Sequence, residues 1–315
     1  MELRTLGRTG IMVSRLCFGS LTIGPFQANL TVAEGARVLR HALEQGVNFI
    51  DTADSYDTYP YIRAALGGWT GEVVIASKSY DYTAGGMARS LERACQELGR
   101  EWVDIFLLHE QETALTLAGH REALDYLLSA KQRGQIRAVG ISTHSVAAVE
   151  AALGMPEIEV IHPLINCRGI GITNGGRKEM LGAVEKAHAA GKGIYAMKAL
   201  GGGHLISMAP AALGFVLGLP AVDAVAVGMQ SQAEVDMNVA LFQGQPVPAE
   251  LATEVGLKPR RLHVEDWCQG CGTCVPACPQ GALQVRDGRV EVDAGRCIFC
   301  SYCARVCPDF CLKVV

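Results

Sequence analysis

The stretch EVVIASKSYDYTAGGMARSLERACQELGREWVDIFLLHE (residues 72–110) carries the pattern on which the fold depends. It begins with a short apolar run, EVVIASKS (72–79), and ends with a second one, VDIFLLHE (103–110). The segment between them, GGMARSLERACQELGR (85–100), has apolar residues at steps of three and four and a glycine near its end, as an amphipathic helix does. A strand, a helix and a second strand in this order predict a right-handed crossover and a parallel sheet.

The same alternation continues on both sides of this stretch. The further strand-like runs are RLCFGS (15–20), VNFIDTAD (47–54), IRAVGIST (136–143), EVIHPLIN (159–166), GIYAMKAL (193–200) and DAVAVGM (223–229). Eight strand–helix repeats in about 240 residues predict a closed (β/α)8 TIM barrel, preceded by a hairpin within ELRTLGRTGIMVSRL (2–16). The alternative is a doubly wound open sheet, but CFGSLTIGPF (17–26) matches the required Gly-rich turn only loosely.

Composition and charge exclude several classes of function. The 315 residues are 49% hydrophobic and 19% charged, with a net charge of −4, so no basic surface for a nucleic acid is expected. The N-terminal MELRTLGRTG lacks the apolar core of a signal peptide, which predicts a cytoplasmic protein. The apolar stretch 205–229 contains Pro210, Pro220 and Asp223, and therefore predicts a buried helix, a loop and a strand rather than a membrane span.

Four titratable residues follow three consecutive strands of the predicted barrel. Asp51 ends the second strand and Tyr56 lies five residues further on, while Lys78 and His109 end the third and fourth strands. Active sites of such barrels lie at the C-terminal ends of the strands, so these side chains are expected to converge over one mouth.

This set of side chains predicts proton transfer to a carbonyl oxygen. A tyrosine hydroxyl titrates near pH 10, and a neighbouring ammonium such as that of Lys78 lowers its pKa. Asp51 can keep Lys78 charged and oriented, and His109 can donate a hydrogen bond to a substrate oxygen. An Asp–Lys pair or a single histidine is equally compatible with a purely structural role. The presence of all four residues in this order favours catalysis.

With the barrel pattern, these residues resemble the aldo-keto reductase family across residues 1–245. The resemblance implies that Tyr56 is the general acid/base, that Lys78 and Asp51 tune its pKa, and that His109 orients the carbonyl. It also implies NAD(P)H as cofactor and a small carbonyl or alcohol as substrate. Coenzyme contacts are implied for Ser142, His162, Asn166, Lys198, Gly228 and Asn238.

The sequence departs from the family pattern along the implied coenzyme site. Thr143 and His162 stand where the family usually has Asn and Gln. Glu234 stands where members that prefer NADPH have an Arg, and a carboxylate repels a 2′-phosphate but suits a ribose diol. NADH is therefore favoured over NADPH. The Gly-rich run ALGGGH (199–204) is expected either to let the backbone approach the coenzyme pyrophosphate or to form a flexible turn.

The C-terminal part of the chain carries the motif C-x₂-C-x₂-C-x₃-C-P twice, as CQGCGTCVPACP (268–279) and CIFCSYCARVCP (297–308). In this motif three cysteines bind one [4Fe–4S] cluster and the fourth binds the other. The expected ligand sets are Cys268, Cys271, Cys274 and Cys307 for the first cluster, and Cys297, Cys300, Cys303 and Cys278 for the second. Zinc, the alternative for paired CxxC motifs, explains neither the third close cysteine nor the Cys-Pro endings.

Residues 264–315 resemble a bacterial two-cluster ferredoxin, which implies a small α+β domain. A Pro-containing linker is expected over 246–263. Nicotinamide gives up two electrons as a hydride and a cluster accepts one, so three interpretations are open. The first is an NAD(P)H-dependent reductase whose tail exchanges electrons with a redox partner protein. The second is a ferredoxin-linked reductase with a flavin in the barrel, and the third is a non-enzymatic nucleotide-binding redox sensor.

Overall fold

The computed structural model describes residues 1–257, 259–300 and 302–315. An antiparallel hairpin of β1 (Leu3–Thr5) and β2 (Met12–Ser14) opens the chain, as predicted. Its loop residues Leu6 and Ile11 are buried at the lower end of the barrel interior. The hairpin therefore closes the end of the barrel opposite the mouth.

Eight parallel strands close into a barrel in the order β10-β3-β4-β5-β6-β7-β8-β9. They are β3 (Leu16–Gly19), β4 (Phe49–Asp51), β5 (Val74–Ser79), β6 (Val103–Leu108), β7 (Ile136–Thr143), β8 (Val160–Pro163), β9 (Gly193–Ala196) and β10 (Ala224–Gly228). Each lies inside one of the eight apolar runs of the sequence. The prediction of a (β/α)8 barrel is confirmed, and the open-sheet alternative is excluded by the pairing of β10 with β3.

Helices cover the outside of the barrel. They are α1 (Val32–Glu44), α2 (Tyr59–Leu66), α3 (Ala84–Leu98), α4 (Ala114–Gly119), α5 (Arg121–Gln132), α6 (Val146–Leu153), α7 (Arg177–Ala189), α8 (Ala209–Leu217) and α9 (Gln232–Phe242). Local sequence sets their ends. Thr31 and Glu34 form a capping box at the start of α1, and Gly99 ends α3 in the left-handed conformation at φ 68°. Short 3₁₀ helices span Ser20–Ile23, Asp54–Tyr56 and Ile206–Met208.

The barrel interior is packed below the mouth. Phe49 and Tyr195 lie there with ring centroids 5.0 Å apart, among small and branched side chains of the other strands. The apolar stretch 205–229 folds as helix α8, a loop and strand β10, as predicted. None of the helices in the described ranges has the length and apolar content that a bilayer crossing requires.

The C-terminal part of the chain forms two small sheets and two helices. Helix α10 (Ala249–Gly256) lies inside the segment 246–263, so this expected linker is partly helical. Strand β11 (Leu262–Val264) pairs with β14 (Leu312–Val314), and β12 (Leu283–Arg286) pairs with β13 (Arg289–Val292). Helix α11 (Tyr302–Val306) completes this part. The strands and the helix together agree with the small α+β domain that the resemblance implied.

The tail packs against the Gly-rich loop that follows β9. The Val314 amide donates to the Gly202 carbonyl oxygen at 2.9 Å, and His204 Nε2 lies 2.8 Å from the Leu312 carbonyl oxygen. A Cβ on Gly203, at φ 87°, would lie 1.8 Å from the Val314 carbonyl oxygen. Gly202 and Gly203 thus allow the last strand of the tail, β14, to pack directly against the backbone of the loop. The expected flexible turn is wrong, and the tail covers the loop surface that was expected for a coenzyme pyrophosphate.

Candidate active site and iron–sulfur sites

Asp51 and Lys78 form a buried ion pair at the C-terminal ends of the neighbouring strands β4 and β5. Lys78 Nζ donates to Asp51 Oδ2 at 2.9 Å and to the Thr52 carbonyl oxygen at 2.7 Å. Only 1% of the Lys78 side chain and 8% of the Asp51 side chain is exposed. Because both partners are buried and hydrogen-bonded, the geometry of the pair is fixed.

Tyr195 is a member of this site that the sequence analysis missed. Its hydroxyl donates to Asp51 Oδ1 at 3.0 Å. His162 stacks on the Tyr195 ring with centroids 3.8 Å apart, and its Nδ1 lies 2.6 Å from the Tyr195 carbonyl oxygen. The only sequence signal was a tyrosine in the middle of GIYAMKAL, which points into the barrel because alternate residues of its strand do so.

Tyr56 and His109 complete the cluster of four predicted catalytic residues. Tyr56 ends the 3₁₀ helix after β4, and Lys78 Nζ lies 4.7 Å from its ring centroid. The His109 ring meets Tyr56 edge-on at 5.8 Å and stacks on Tyr80 at 4.1 Å. The structure therefore brings Asp51, Tyr56, Lys78 and His109 together at the mouth.

The pKa of Tyr56 differs from the expectation. Burial raises this pKa well above its usual value near 10. Nearby carboxylates raise it further, namely those of Asp51, Glu110 and Glu265. The net shift of the Tyr56 pKa is therefore upwards, opposite to the shift expected from the Lys78 ammonium alone. At neutral pH Tyr56 is a neutral phenol that can donate a proton.

His109 is a neutral hydrogen-bonding group. Burial lowers its pKa well below 6.5, and the charges of Lys78 and Lys198 act in the same direction. Within the described ranges, its buried Nδ1 atom has no hydrogen-bond partner. A buried polar atom without a partner is costly, so this nitrogen suits a polar ligand in the mouth.

Three residues are implied for the nicotinamide end of the coenzyme, namely Ser142, His162 and Asn166, and each makes hydrogen bonds within the chain. Ser142 and His162 lie opposite each other on β7 and β8, and Ser142 Oγ accepts the Glu110 amide at 2.9 Å. Burial lowers the pKa of His162 to about 4, so its ring is neutral. Asn166 is engaged by its own loop, since its Nδ2 donates to the Ile170 carbonyl oxygen at 2.9 Å and its Oδ1 accepts two amides. All three side chains therefore already have a hydrogen-bond partner within the chain, and their coenzyme roles stay predictions.

Lys198 contacts the tail. Its Nζ donates to His144 Nε2 at 2.6 Å and lies 5.2 Å from the centre of the Phe310 ring. Lys313 Nζ lies 3.2 Å from the same ring. Burial lowers the pKa of His144 well below 6.5, which leaves Nε2 free to accept from the ammonium. The Lys198 ammonium is thus engaged between the barrel and Phe310, and its implied coenzyme role stays a prediction.

The two remaining implied coenzyme residues lie beside β10 and α9. A Cβ on Gly228 would lie 2.0 Å from Thr22 Cγ2. The absence of a side chain at Gly228 therefore makes room for the 3₁₀ helix that follows β3. Asn238 Nδ2 donates to the Glu234 carbonyl oxygen at 2.8 Å, and Glu234 Oε2 accepts the Gln230 amide at 2.7 Å. Glu234 thus lies at the N-terminus of α9.

The cysteines of the two motifs in the tail lie near one another. Cys278 of the first motif lines one cavity together with Cys297, Cys300 and Cys303 of the second. In a second neighbourhood, burial raises the pKa of Cys274 to about 11, and the neighbouring thiols of Cys307, Cys268 and Cys271 contribute. Each neighbourhood combines three cysteines of one motif with the fourth of the other, as two [4Fe–4S] clusters would require. The two ligand sets stay predictions. Cys311, outside both motifs, is buried and its amide donates to Cys307 Sγ at 3.3 Å.

Comparisons with known proteins agree with both parts of the chain. A sequence profile of the aldo/keto reductase family matches residues 15–206. The chain belongs to this family. A profile of the 4Fe-4S dicluster domain matches residues 261–308 of this aldo/keto reductase. The boundaries of the two domains and of the linker stay predictions.

Curated relatives of this aldo/keto reductase include two that act on sugars, as their names state. L-galactose dehydrogenase of Arabidopsis thaliana is 27% identical over 154 residues, which are 45% of this chain and 48% of the relative. The 6-dehydroglucose reductase of Novosphingobium aromaticivorans is 26% identical over 226 residues, 65% of this chain and 70% of the relative. The matches thus span between about half and 70% of these relatives.

Solved structures share the fold. An aldo-keto reductase from Pseudomonas aeruginosa has a TM-score of 0.66 and 28% identity, with 77% of this chain and 94% of that chain covered. An aldo-keto reductase from Bacillus halodurans has a TM-score of 0.66 at 20% identity, with 81% and 95% covered, and supports the fold alone.

Proposed function

We propose that the barrel interconverts a carbonyl group and an alcohol on a small substrate, with NAD(P)H as the hydride carrier. The observation that carries this proposal is the convergence of Tyr56 and His109 above the buried Lys78–Asp51 pair. The names of the two sugar-related relatives support a small polyhydroxy substrate. When bound, the coenzyme would supply or accept the hydride.

The side chains of this chain have distinct roles in the reduction. The neutral phenol of Tyr56 donates its proton to the carbonyl oxygen, and His109 donates a hydrogen bond to the same oxygen. Lys78 places a positive charge beside the Tyr56 ring, so the phenolate that forms after proton transfer is stabilised. Asp51 holds Lys78 in this place, and the Tyr195 hydroxyl in turn orients Asp51.

The docked tail supports a second candidate function, ferredoxin-linked reduction with a flavin in the barrel mouth. The tail covers Gly202 and Gly203 and engages Lys198, and so it occupies surface expected for the coenzyme. Residues implied for the nicotinamide remain beside the site, in particular Ser142 and His162. For the first candidate function NADH is favoured over NADPH, because the carboxylate of Glu234 would repel a 2′-phosphate.

Two experiments test these candidates. The first compares Tyr56→Phe with the wild-type chain on a panel of small sugar aldehydes and ketones with NADH and NADPH. We expect kcat/KM to fall at least about a hundredfold, the lower end of general acid–base contributions. Tyr61→Phe is the control, since that hydroxyl donates to the Leu30 carbonyl oxygen away from the mouth. Full activity of Tyr56→Phe would rule out the role given to this residue.

The second experiment is an anaerobic titration of the iron-replete protein with NADH and then NADPH, followed by its visible spectrum. Binding of either nucleotide favours the first candidate function. Bleaching of the cluster absorbance would show that the barrel and the tail exchange electrons through a mediator. A flavin in the purified protein, together with no nucleotide binding, would favour the second candidate.

A further inference from the structure

Exposed apolar side chains are concentrated beside the second cysteine motif of the tail. Ile298 is 62% exposed, Tyr302 52% and Val306 39%. Tyr302 and Val306 are four residues apart on α11 and therefore share a face of that helix. On the barrel, Leu115 is 83% exposed and lies far along the chain from the cysteine motifs, so it provides a comparison.

This apolar surface lies directly on an iron–sulfur site. Ile298 and Phe299 line the cavity that is formed by the cysteines of the second cluster, Cys278, Cys297, Cys300 and Cys303. A protein that covers Ile298 would therefore approach the cluster to within one side-chain layer. Electron transfer requires such close approach, which an exposed apolar side chain far from a redox centre does not provide.

Two arginines give the surface a local positive charge. Arg296 and Arg305 are exposed, and neither pairs with a carboxylate in the part of the chain that the structure describes. The Arg305 guanidinium lies 5.8 Å from the Tyr302 ring. The Asp293 carboxylate, three residues before Arg296, accepts the Gly295 amide at 2.9 Å. By contrast, Arg289 pairs with Asp266 at 2.9 Å.

We propose that this surface, defined by Arg296, Ile298, Tyr302, Arg305 and Val306, docks a small one-electron carrier protein with an acidic face. Aromatic and arginine side chains are enriched in protein interfaces. Electron-transfer complexes are small and weak, and charge complementarity raises their association rate. This inference rests on the electron-transfer role proposed for the tail. In each encounter the carrier would lose one electron, and the cluster that Cys278, Cys297, Cys300 and Cys303 are expected to hold would gain it.

On the side away from the docking surface, the second cluster's cysteines lie near those of the first cluster. Cys303 of this cluster and Cys274 of the first are buried in the same apolar core of the tail. Cys307 of the first cluster accepts the Phe310 amide at its carbonyl oxygen, at 3.3 Å. The Phe310 ring in turn contacts Lys198 at the barrel mouth. In this proposal an electron that enters at the docking surface would pass from the second cluster to the first and on towards Phe310.

The test measures electron delivery to the clusters directly. Reduced flavodoxin, an acidic carrier, is mixed anaerobically with the oxidised full-length protein, and cluster bleaching and flavodoxin semiquinone are followed. We expect Arg296→Glu/Arg305→Glu to slow the reaction roughly tenfold or more at low ionic strength, and the difference to shrink as salt is added. Arg37→Glu, on α1 of the barrel, carries the same kind of charge change and should react as the wild type.

A second pair of variants tests the apolar part of the surface. Tyr302→Ser/Val306→Ser should slow the reaction while its salt dependence is kept, and Leu115→Ser should not slow it. Iron content and reduction by dithionite must equal the wild type in every variant. Wild-type rates in both double variants would overturn the proposal. So would a wild-type protein that dithionite reduces but flavodoxin does not.

The outcome is independent of the chemistry proposed for the barrel. The assay contains neither nucleotide nor carbonyl compound, so Tyr56→Phe should accept electrons at the wild-type rate. If carbonyl reduction is absent but the surface variants behave as expected, the proposed barrel function fails and the docking surface stands. If carbonyl reduction is present but the surface variants react at the wild-type rate, the docking proposal fails and the proposed barrel function stands.

Discussion

Tyr195 and Lys78 hold the Asp51 carboxylate from its two sides. The Tyr195 hydroxyl donates to Oδ1 at 3.0 Å, and Lys78 Nζ donates to Oδ2 at 2.9 Å. Burial raises the pKa of Tyr195 well above 10, and the charge of Asp51 adds to this, so the hydroxyl stays protonated and donates. Both carboxylate oxygens are satisfied, which a buried ion pair requires. Asp51 is thereby fixed in the orientation that holds Lys78 beside Tyr56.

We expect Tyr195→Phe to lower kcat/KM roughly tenfold. The lost hydrogen bond goes to a charged group, and such bonds contribute about 1.5–3 kcal/mol, of which 1.36 kcal/mol corresponds to a factor of ten in rate. The matched control is Tyr59→Phe, whose buried hydroxyl lies 2.6 Å from the Ser77 hydroxyl and outside this network. Steady-state kinetics of both variants, with unfolding curves, provide the measurement. Equal activity in the two variants would mean that Tyr195 does not position Asp51.

The sequence was sufficient to predict the barrel and to locate all four candidate catalytic residues, with Tyr56 placed in the segment that follows β4. Asp51, Lys78 and His109 could be placed because the ends of parallel strands meet at one edge of the barrel. Tyr195 was missed because in a buried strand its ring counts as apolar, and its partner Asp51 lies 144 residues away. The pKa of Tyr56 was predicted in the wrong direction, since sequence shows which charges are near but not how deeply the hydroxyl is buried.

The position of the tail could not be predicted from the motifs that identified it. The glycines of ALGGGH allow a close backbone approach, but nothing in the sequence says whether a ligand or another segment approaches. Here the approaching segment is β14, through the 2.9 Å bond from the Val314 amide to the Gly202 carbonyl oxygen. The consequence is that the tail contributes Phe310 and Lys313 to the barrel mouth.

Gly203→Ala should loosen the tail from the barrel. The new Cβ would lie 1.8 Å from the Val314 carbonyl oxygen, so β14 must move away. Gly244→Ala is the control, because Gly244 also has a positive φ, at 67°, but nothing lies within 4 Å of its Cβ. Both substitutions should reduce stability by about 1 kcal/mol or more through backbone strain. Only Gly203→Ala should speed amide hydrogen exchange in β14, and unchanged exchange at Val314 would contradict the observed docking.

Acid should destabilise the protein partly through His162. Burial gives its ring a pKa of about 4, against about 6.5 in an unfolded chain. Between these values the unfolded chain binds a proton that the folded chain excludes, so stability is complete above about pH 6.5 and is lost as the pH falls towards 4. The loss through this one group is up to about 3 kcal/mol.

Denaturant unfolding of wild-type protein and His162→Gln at several pH values between 7 and 4 measures this loss. The variant should lose less stability over the same interval. Some pH dependence should persist in it, because burial also lowers the pKa of other histidines, namely His109, His144 and His204. Identical slopes in the two proteins would show that His162 is not the buried neutral group described here.

Cys278→Ser and Cys311→Ser should separate a cluster ligand from a buried thiol of the same tail. Cys278 shares its cavity with Cys297, Cys300 and Cys303, and so its loss removes one ligand of the second cluster. Cys311 belongs to neither expected ligand set, although its amide donates to Cys307 Sγ at 3.3 Å and its thiol also interacts with the Cys307 thiol. We therefore expect Cys278→Ser to bind about half of the wild-type iron and Cys311→Ser to bind all of it.

Iron analysis with electron paramagnetic resonance of the reduced proteins decides the assignment. In Cys278→Ser the remaining signal should come from the first cluster, since its cysteines include Cys307 of the other motif but not Cys278. Cys307→Ser should give the opposite loss. If instead Cys278→Ser removed the same cluster as Cys268→Ser, each motif would bind its own cluster, and the crosswise arrangement seen around the cavity would be wrong. The route from the docking surface to Phe310 would then have to pass through a differently ligated pair.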